Sequence, residues 1–87
     1  MNMSIRDFNI QNYESTEQPN GSYLNKWGEV HWYDTHGNLH REDGPAVIFR
    51  SGKIGWYLND HFYKFDAWLI KLNKTDEAKM MLRLQYE

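Results

Sequence analysis

Apolar and polar residues alternate with period two in two short stretches. Val30 and Trp32 fall on one side of the first, with His31 and Tyr33 on the other; Ile54, Trp56 and Leu58 share one side of the second, opposite Tyr57. Successive side chains of a strand point to opposite faces, so both stretches predict strands with one face turned to a core. Turn-forming clusters separate them: Asp34-Thr35-His36-Gly37-Asn38, Arg41-Glu42-Asp43-Gly44-Pro45, Arg50-Ser51-Gly52-Lys53 and Asn59-Asp60-His61. In the second cluster Gly44 is expected at a positive-φ turn position, and Pro45 removes a backbone donor. Residues 46–49 are apolar on both faces, which predicts a central strand or a second face kept for a partner. Leu39-His40 begins a return strand, and residues 62–64 form another. Short strands joined by tight turns make an antiparallel meander.

After Lys64 the period changes. Phe65, Trp68, Leu69 and Leu72 follow the spacing of an amphipathic helix, with Asp66 near its positive end. Thr75 is a natural N-cap for a second helix, with Asp76 and Glu77 in its first turn and Ala78, Met81, Leu82 and Gln85 as its inner stripe. Two helices laid on an open sheet bury Trp32 and Trp56 and leave His31, Tyr33 and Tyr57 facing outward. Before residue 21 the pattern is weaker. Ile5, Phe8 and Ile10 fit no single period, residues 11–20 read as a polar loop, and residues 22–24 as an extra edge strand. The expected fold is α+β: an antiparallel β-hairpin repeat meander of about four to six strands, with one or two C-terminal helices packed on it. Residues 1–87 form one domain, divided into an N-terminal segment (1–21), a repeat sheet (22–64) and a helical cap (65–87).

The two alternating stretches are also a repeat. Trp27-Gly28-Glu29-Val30-His31-Trp32-Tyr33 stands 24 positions before Ser51-Gly52-Lys53-Ile54-Gly55-Trp56-Tyr57. In both, Trp-Tyr follows the glycine at the same distance. The second unit is truncated, as a terminal capping repeat is expected to be.

Composition narrows the function. The chain has no cysteine, which excludes disulfides, thiolate metal sites and cysteine nucleophiles and suits a cytoplasmic setting. No run approaches the length of a membrane span, and no signal peptide is visible. The net charge of −2 argues against direct nucleic-acid binding, because dedicated binders carry a basic footprint.

His31, His36, His40 and His61, with Glu42 and Asp43, raise a metal reading. His36 and His40 lie around a turn, and no tightly spaced second pair completes a ligand set. A metal-dependent enzyme is therefore the weakest reading. His40 beside the carboxylates of Glu42 and Asp43 could serve acid–base chemistry, but turn formation accounts for the same residues. No nucleophile elbow, phosphate loop or zinc-helix motif is present. The expectation is a non-enzymatic module with no cofactor and no metal. Its partner-binding residues are expected to be Tyr33, Tyr57, His31, Arg41, Glu42, Asp43 and Arg50, since Tyr and Arg are over-represented at protein hot spots. An alternative uses Tyr33, Tyr57 and Arg50 to stack on and neutralise a single-stranded nucleic acid. An open edge near residues 22–24 or 62–64 also invites a homodimer by strand addition.

The run Gly37-Asn38-Leu39-His40-Arg41-Glu42-Asp43-Gly44-Pro45-Ala46, with Trp32-Tyr33 before it, resembles a short repeat of uncharacterised bacteriophage proteins. It is similar to the MORN-like repeats of some bacterial antitoxin-type proteins. The ending Trp56-Tyr57-Leu58-Asn59, then Phe65 and Trp68-Leu69, resembles how those phage proteins finish. The resemblance spans about residues 27–72. It implies a phage-encoded module acting in the host cytoplasm on a bacterial protein or nucleic-acid-processing complex. Inhibition of a defence nuclease, in the manner of anti-CRISPR proteins, is one version.

Overall fold

In a computed structural model that describes residues 14–87, the chain runs back and forth as six strands. These are β1 (Thr16–Glu17), β2 (Tyr23–Leu24), β3 (Val30–His31), β4 (Val47–Ile48), β5 (Ile54–Leu58) and β6 (His61–Tyr63). Each pairs antiparallel with the next, so order in space follows order in sequence. Two helices follow, α1 (Phe65–Lys71) and α2 (Asp76–Tyr86). The fold is α+β, with the strands in a meander.

One turn design recurs four times. The N–H groups of Gln18, Asn25, Asp34 and Phe49 donate to the carbonyls of Ser22, Glu29, Asn38 and Lys53 at 2.8–2.9 Å. In each case the glycine at the fourth position donates back to the first residue, from φ between 80° and 91°. A three-residue loop closed by a left-handed residue is a type I turn with a bulge, which suits the twist of the flanking strands. Asn25 and Asp34 brace their turns further, each Oδ1 accepting from two backbone N–H groups within the turn. The 24-residue repeat is this turn followed by the same strand, with Gly28 and Gly52 in the same turn position. The last turn is different: Asn59 and Asp60 have φ of 51° and 68°, the tight two-residue hairpin form.

The structure departs from the sequence reading in several places. Residues 16–17, read as loop, form the outer strand β1, so β2 is an inner strand. A two-residue polar strand needs only main-chain partners and leaves no apolar pattern. Leu39 meets Tyr33 through an isolated bridge and does not open a full strand. Gly44 is not among the positive-φ residues. Its missing side chain serves a close approach: a Cβ there would sit 2.6 Å from the Tyr86 hydroxyl and 2.7 Å from Arg41 Cζ. Ile5, Phe8 and Ile10 lie outside the described residues.

The core forms where the helices meet the second half of the sheet. Trp68 is 0% exposed and its ring lies 4.6 Å from that of Trp56, which also touches Phe65 at 4.8 Å and Tyr86 at 5.2 Å. Leu58, Leu69, Leu72 and Leu82 complete the cluster. Burial of several aromatics in one place is how so small a chain gathers enough apolar area. Phe65, Trp68, Leu69 and Leu72 all face inward, as their spacing predicts. In α2 the inner stripe is Ala78, Leu82 and Tyr86, while Met81 and Gln85 are exposed. Thr75 caps α2 as expected, its Oγ1 accepting from the Ala78 N–H at 3.1 Å. The indole prediction holds for Trp56 and fails for Trp32, which is half-buried and outside the cluster. The helices do not extend over β3, and the Arg41 guanidinium covers Trp32 instead, 3.9 Å from the ring centroid.

Candidate binding surface

The loop that carries the His-Arg-Glu-Asp-Gly-Pro-Ala motif is the joint between sheet and helices. Arg41 stacks on Trp32, its Nε donates to Asp43 Oδ1 at 2.8 Å and its Nη1 donates to the Pro45 carbonyl at 3.1 Å. The Arg41 N–H donates to the Tyr57 carbonyl on β5, and the Arg41 carbonyl accepts from Trp68 Nε1 at 3.1 Å. The Tyr86 hydroxyl donates to the Asp43 carbonyl at 3.4 Å. A buried indole needs a partner for its N–H, and this loop provides one to α1 while α2 is held by Tyr86. His40 Nδ1 accepts from the Asn59 N–H at 3.1 Å, and its Nε2 lies 3.3 Å from Glu42. The motif thus holds internal joints. Glu42 and the Asp43 carboxylate remain exposed at its rim.

The other expected contact residues are dispersed. His31 and Tyr33 touch each other, with His31 Nδ1 2.9 Å from the Tyr33 hydroxyl and Nε2 3.2 Å from Glu29. Tyr33 also packs on Tyr23 at 5.7 Å. Both are half-buried on the face of the sheet away from the helices. Tyr57 is on that face too, lying over Gly55 and against Phe62. Arg50 stands at the far end of the sheet, its aliphatic stem 3.6 Å from where a Gly28 Cβ would be. The structure therefore brings His31 and Tyr33 together, gathers Arg41, Glu42 and Asp43 in the loop, joins Tyr57 to that loop through main chain, and leaves Arg50 at the far end of the sheet.

Asp34 is the residue of this region with a displaced pKa. Burial pushes its carboxyl up, but N–H groups of Asn38 and His36 and the Asn38 amide donate to it and hold it below the usual carboxylate value. This is turn chemistry. Among the described residues, no three metal-ligating side chains come together, and no helix is long and apolar enough to cross a membrane.

Residues that the sequence reading did not single out make the largest apolar exposure. Ile70, Met80 and Leu84 are 73%, 63% and 75% exposed. Ile70 and Met80 flank a groove of about 260 Å³ between α1 and α2, floored by Leu69 and rimmed by Asp76, Lys79 and Arg83. The signal was available: Met80 and Leu84, four residues apart, form a second apolar stripe on the side of α2 opposite the Leu82 stripe. A helix apolar on two sides has more than a core to face. A smaller patch lies at the sheet end where the 25–29 and 49–53 turns adjoin. There Lys26 sits over Trp27 at 5.0 Å, the Arg50 stem lies against Gly28, and Lys53 closes the second turn. Leu24 and Ile54, at the two ends of the cross-strand row Leu24–Val30–Ile48–Ile54, are partly exposed beside it.

Together these features define an α+β meander module with a rigid sheet–helix joint and an apolar helical surface. Comparison with protein-family models, with curated proteins and with solved structures finds no match for the chain.

Proposed function

We infer that the protein is a non-enzymatic protein-binding module. The observation that carries this reading is the outward face of α1 and α2. Ile70 and Met80 flank a groove with charged residues at its rim, and Leu84, one turn beyond Met80 on α2, adds exposed apolar area outside it. Contiguous exposed apolar surface marks interaction sites, and methionine adapts to the shape of what it meets. The occupant is a protein segment with an apolar anchor that seats on Leu69. Of the partner-facing residues expected from sequence, His31, Tyr33 and Tyr57 lie on the opposite face of the sheet and stand outside this surface, while Glu42 and Asp43 stay exposed on the motif loop.

The resemblance to bacteriophage repeats supports a partner in a bacterial host cytoplasm, a defence nuclease complex being one candidate. A competing occupant is single-stranded nucleic acid, favoured by the grouping of Lys26, Arg50 and Lys53 with Trp27 at one sheet end.

The test is capture from bacterial lysate by wild type and by Met80→Glu and Leu84→Glu variants, which alter exposed positions. A protein held by wild type and lost by both variants at unchanged melting temperature supports the reading. Equal retention by all three defeats it. Oligonucleotide binding that falls steeply with salt would favour the competing occupant.

A further inference from the structure

We propose that one end of the sheet is a second binding site, for single-stranded nucleic acid, built on Lys26, Trp27, Arg50 and Lys53. The four glycine turns share one construction but differ at their second position, which holds Pro19, Lys26, Thr35 and Arg50 in turn. Leu24, Val30, Ile48 and Ile54 form one cross-strand row, and the 25–29 and 49–53 turns both project beyond it. The two turns with a cation at that position therefore stand side by side. They touch, the Arg50 stem lying 3.6–3.9 Å from where a Gly28 Cβ would be. Lys53 closes the second turn, its carbonyl accepting from the Phe49 N–H. None of these three cations makes an ion pair among the described residues. The carboxylate within these turns, Glu29, is half-buried and engaged by the Asn25 amide at 3.1 Å and by His31 Nε2 at 3.2 Å. The turns at the opposite end carry Asp34 and Asp60 instead. The net charge of −2 thus hides a sheet with one cationic end.

The aromatic ring at this end selects the ligand. Trp27 is 49% exposed at the tip of the first turn, with Lys26 Nζ 5.0 Å from its ring centroid. An exposed indole beside cations supplies both things a single strand needs. An unpaired base stacks on the flat ring, and the cations replace the counterions of its phosphates. A duplex keeps its base faces hidden, and an acidic peptide has no base to stack. The approach is open: residues 50–53 are all exposed, and nothing lies within 4 Å of where a Gly52 Cβ would be. This end shares no residue with the groove between α1 and α2, so the site adds to the helix-face reading and does not rest on it.

Fluorescence anisotropy of labelled oligothymidylate and oligouridylate, titrated with the full chain at rising salt, is the test. Binding of either at low salt supports the proposal, and the difference between them gives the sugar the site prefers. The log–log slope of affinity against salt should be about −2, from three phosphate contacts on a single strand at about −0.7 each. Arg50→Gln and Lys53→Gln should each weaken binding and flatten that slope by about 0.7. Trp27→Leu should weaken binding roughly tenfold, the scale of one lost base stack, with the slope unchanged. The two glutamine variants alter exposed positions, so they test the site even if the Trp27 variant fails to fold. Leu84→Glu should bind the strand as wild type does. If it also loses protein capture, the two ligands belong to two separate sites. Absence of binding at low salt overturns the proposal, as does a slope indifferent to both glutamine substitutions or a loss seen only in Leu84→Glu. Polyglutamate that displaces the strand as readily as unlabelled oligothymidylate overturns it too, and makes this end a site for acidic chains.

Discussion

Trp32 and Trp56 occupy the same place in two copies of one hairpin, yet their surroundings differ. Trp56 is enclosed by Phe65, Trp68 and Tyr86, while Trp32 is covered on one side by Arg41. Trp56→Ala should cost about 3–5 kcal/mol, as for other buried aromatics. Trp32→Ala should cost roughly 2 kcal/mol, from partial burial and one cation–π contact. Urea unfolding of the two variants checks the order, and equal losses would show that the helices reach Trp32 in solution. Gly44→Ala is a second test. Its Cβ must displace the Tyr86 hydroxyl and the Arg41 guanidinium. Arg41 can swing aside, but the Tyr86 ring is packed on Trp56, so the expected cost is about 1–3 kcal/mol, the range for strain on overfilling a packed site. The chain should remain folded, with altered tryptophan fluorescence because Arg41 leaves the Trp32 ring.

At the scale of elements, the recurring turn is the unit of construction. Its glycine holds a left-handed φ that other L-residues reach at a cost near 1–2 kcal/mol. Gly37→Ala should therefore destabilise by about that amount, read as a lowered melting temperature, because Gly37 is at φ 85°. Acid should act on the same turn. The Asp34 carboxyl is held below its ordinary value by donors present only in the folded turn. Its stabilising effect is present above the unfolded pKa, near 4, and is lost as pH falls through the lower folded pKa. Asp34→Asn should remove that part of the acid dependence. Unfolding curves compared at pH 7 and pH 3 give the check, and parallel losses in wild type and variant would remove Asp34 from the account.

For the whole molecule, the central fact is uneven coverage. Among the described residues, the two short helices pack on β5 and β6, the last two of six strands, and their own outer surface keeps Ile70, Met80 and Leu84 in solvent. The motif loop, through Arg41 and Asp43, ties these layers together. Trp68→Phe would keep most of the ring volume but leave the Arg41 carbonyl without its indole donor. Loss of that bond should cost about 1–2 kcal/mol and loosen both helices. Hydrogen exchange should report faster opening of α1 and α2 with the β2–β4 amides unaffected.

Much of this architecture was legible in the sequence because local rules carry it. Period two placed β3 and β5, and the i, i+3, i+4, i+7 spacing placed α1 and its inward face. Glycines at the fourth turn position marked the hairpins, and Thr75 marked the start of α2. Each depends on neighbours within a few residues. The outer strand β1 was not legible, since two polar residues pair through main chain alone. Nor was the site. The sequence offered Tyr33, Tyr57 and the charged motif as contact residues, but only the folded chain shows that Arg41 spans Trp32, Asp43 and the Trp68 indole. Only the fold, too, shows that Gly44 is small for the sake of Tyr86 and Arg41, and that the second stripe of α2 lies in solvent. These outcomes join positions as much as 43 residues apart. Hydrophobic periodicity fixes which side of an element is apolar, while the layer that covers it is decided only when the elements pack.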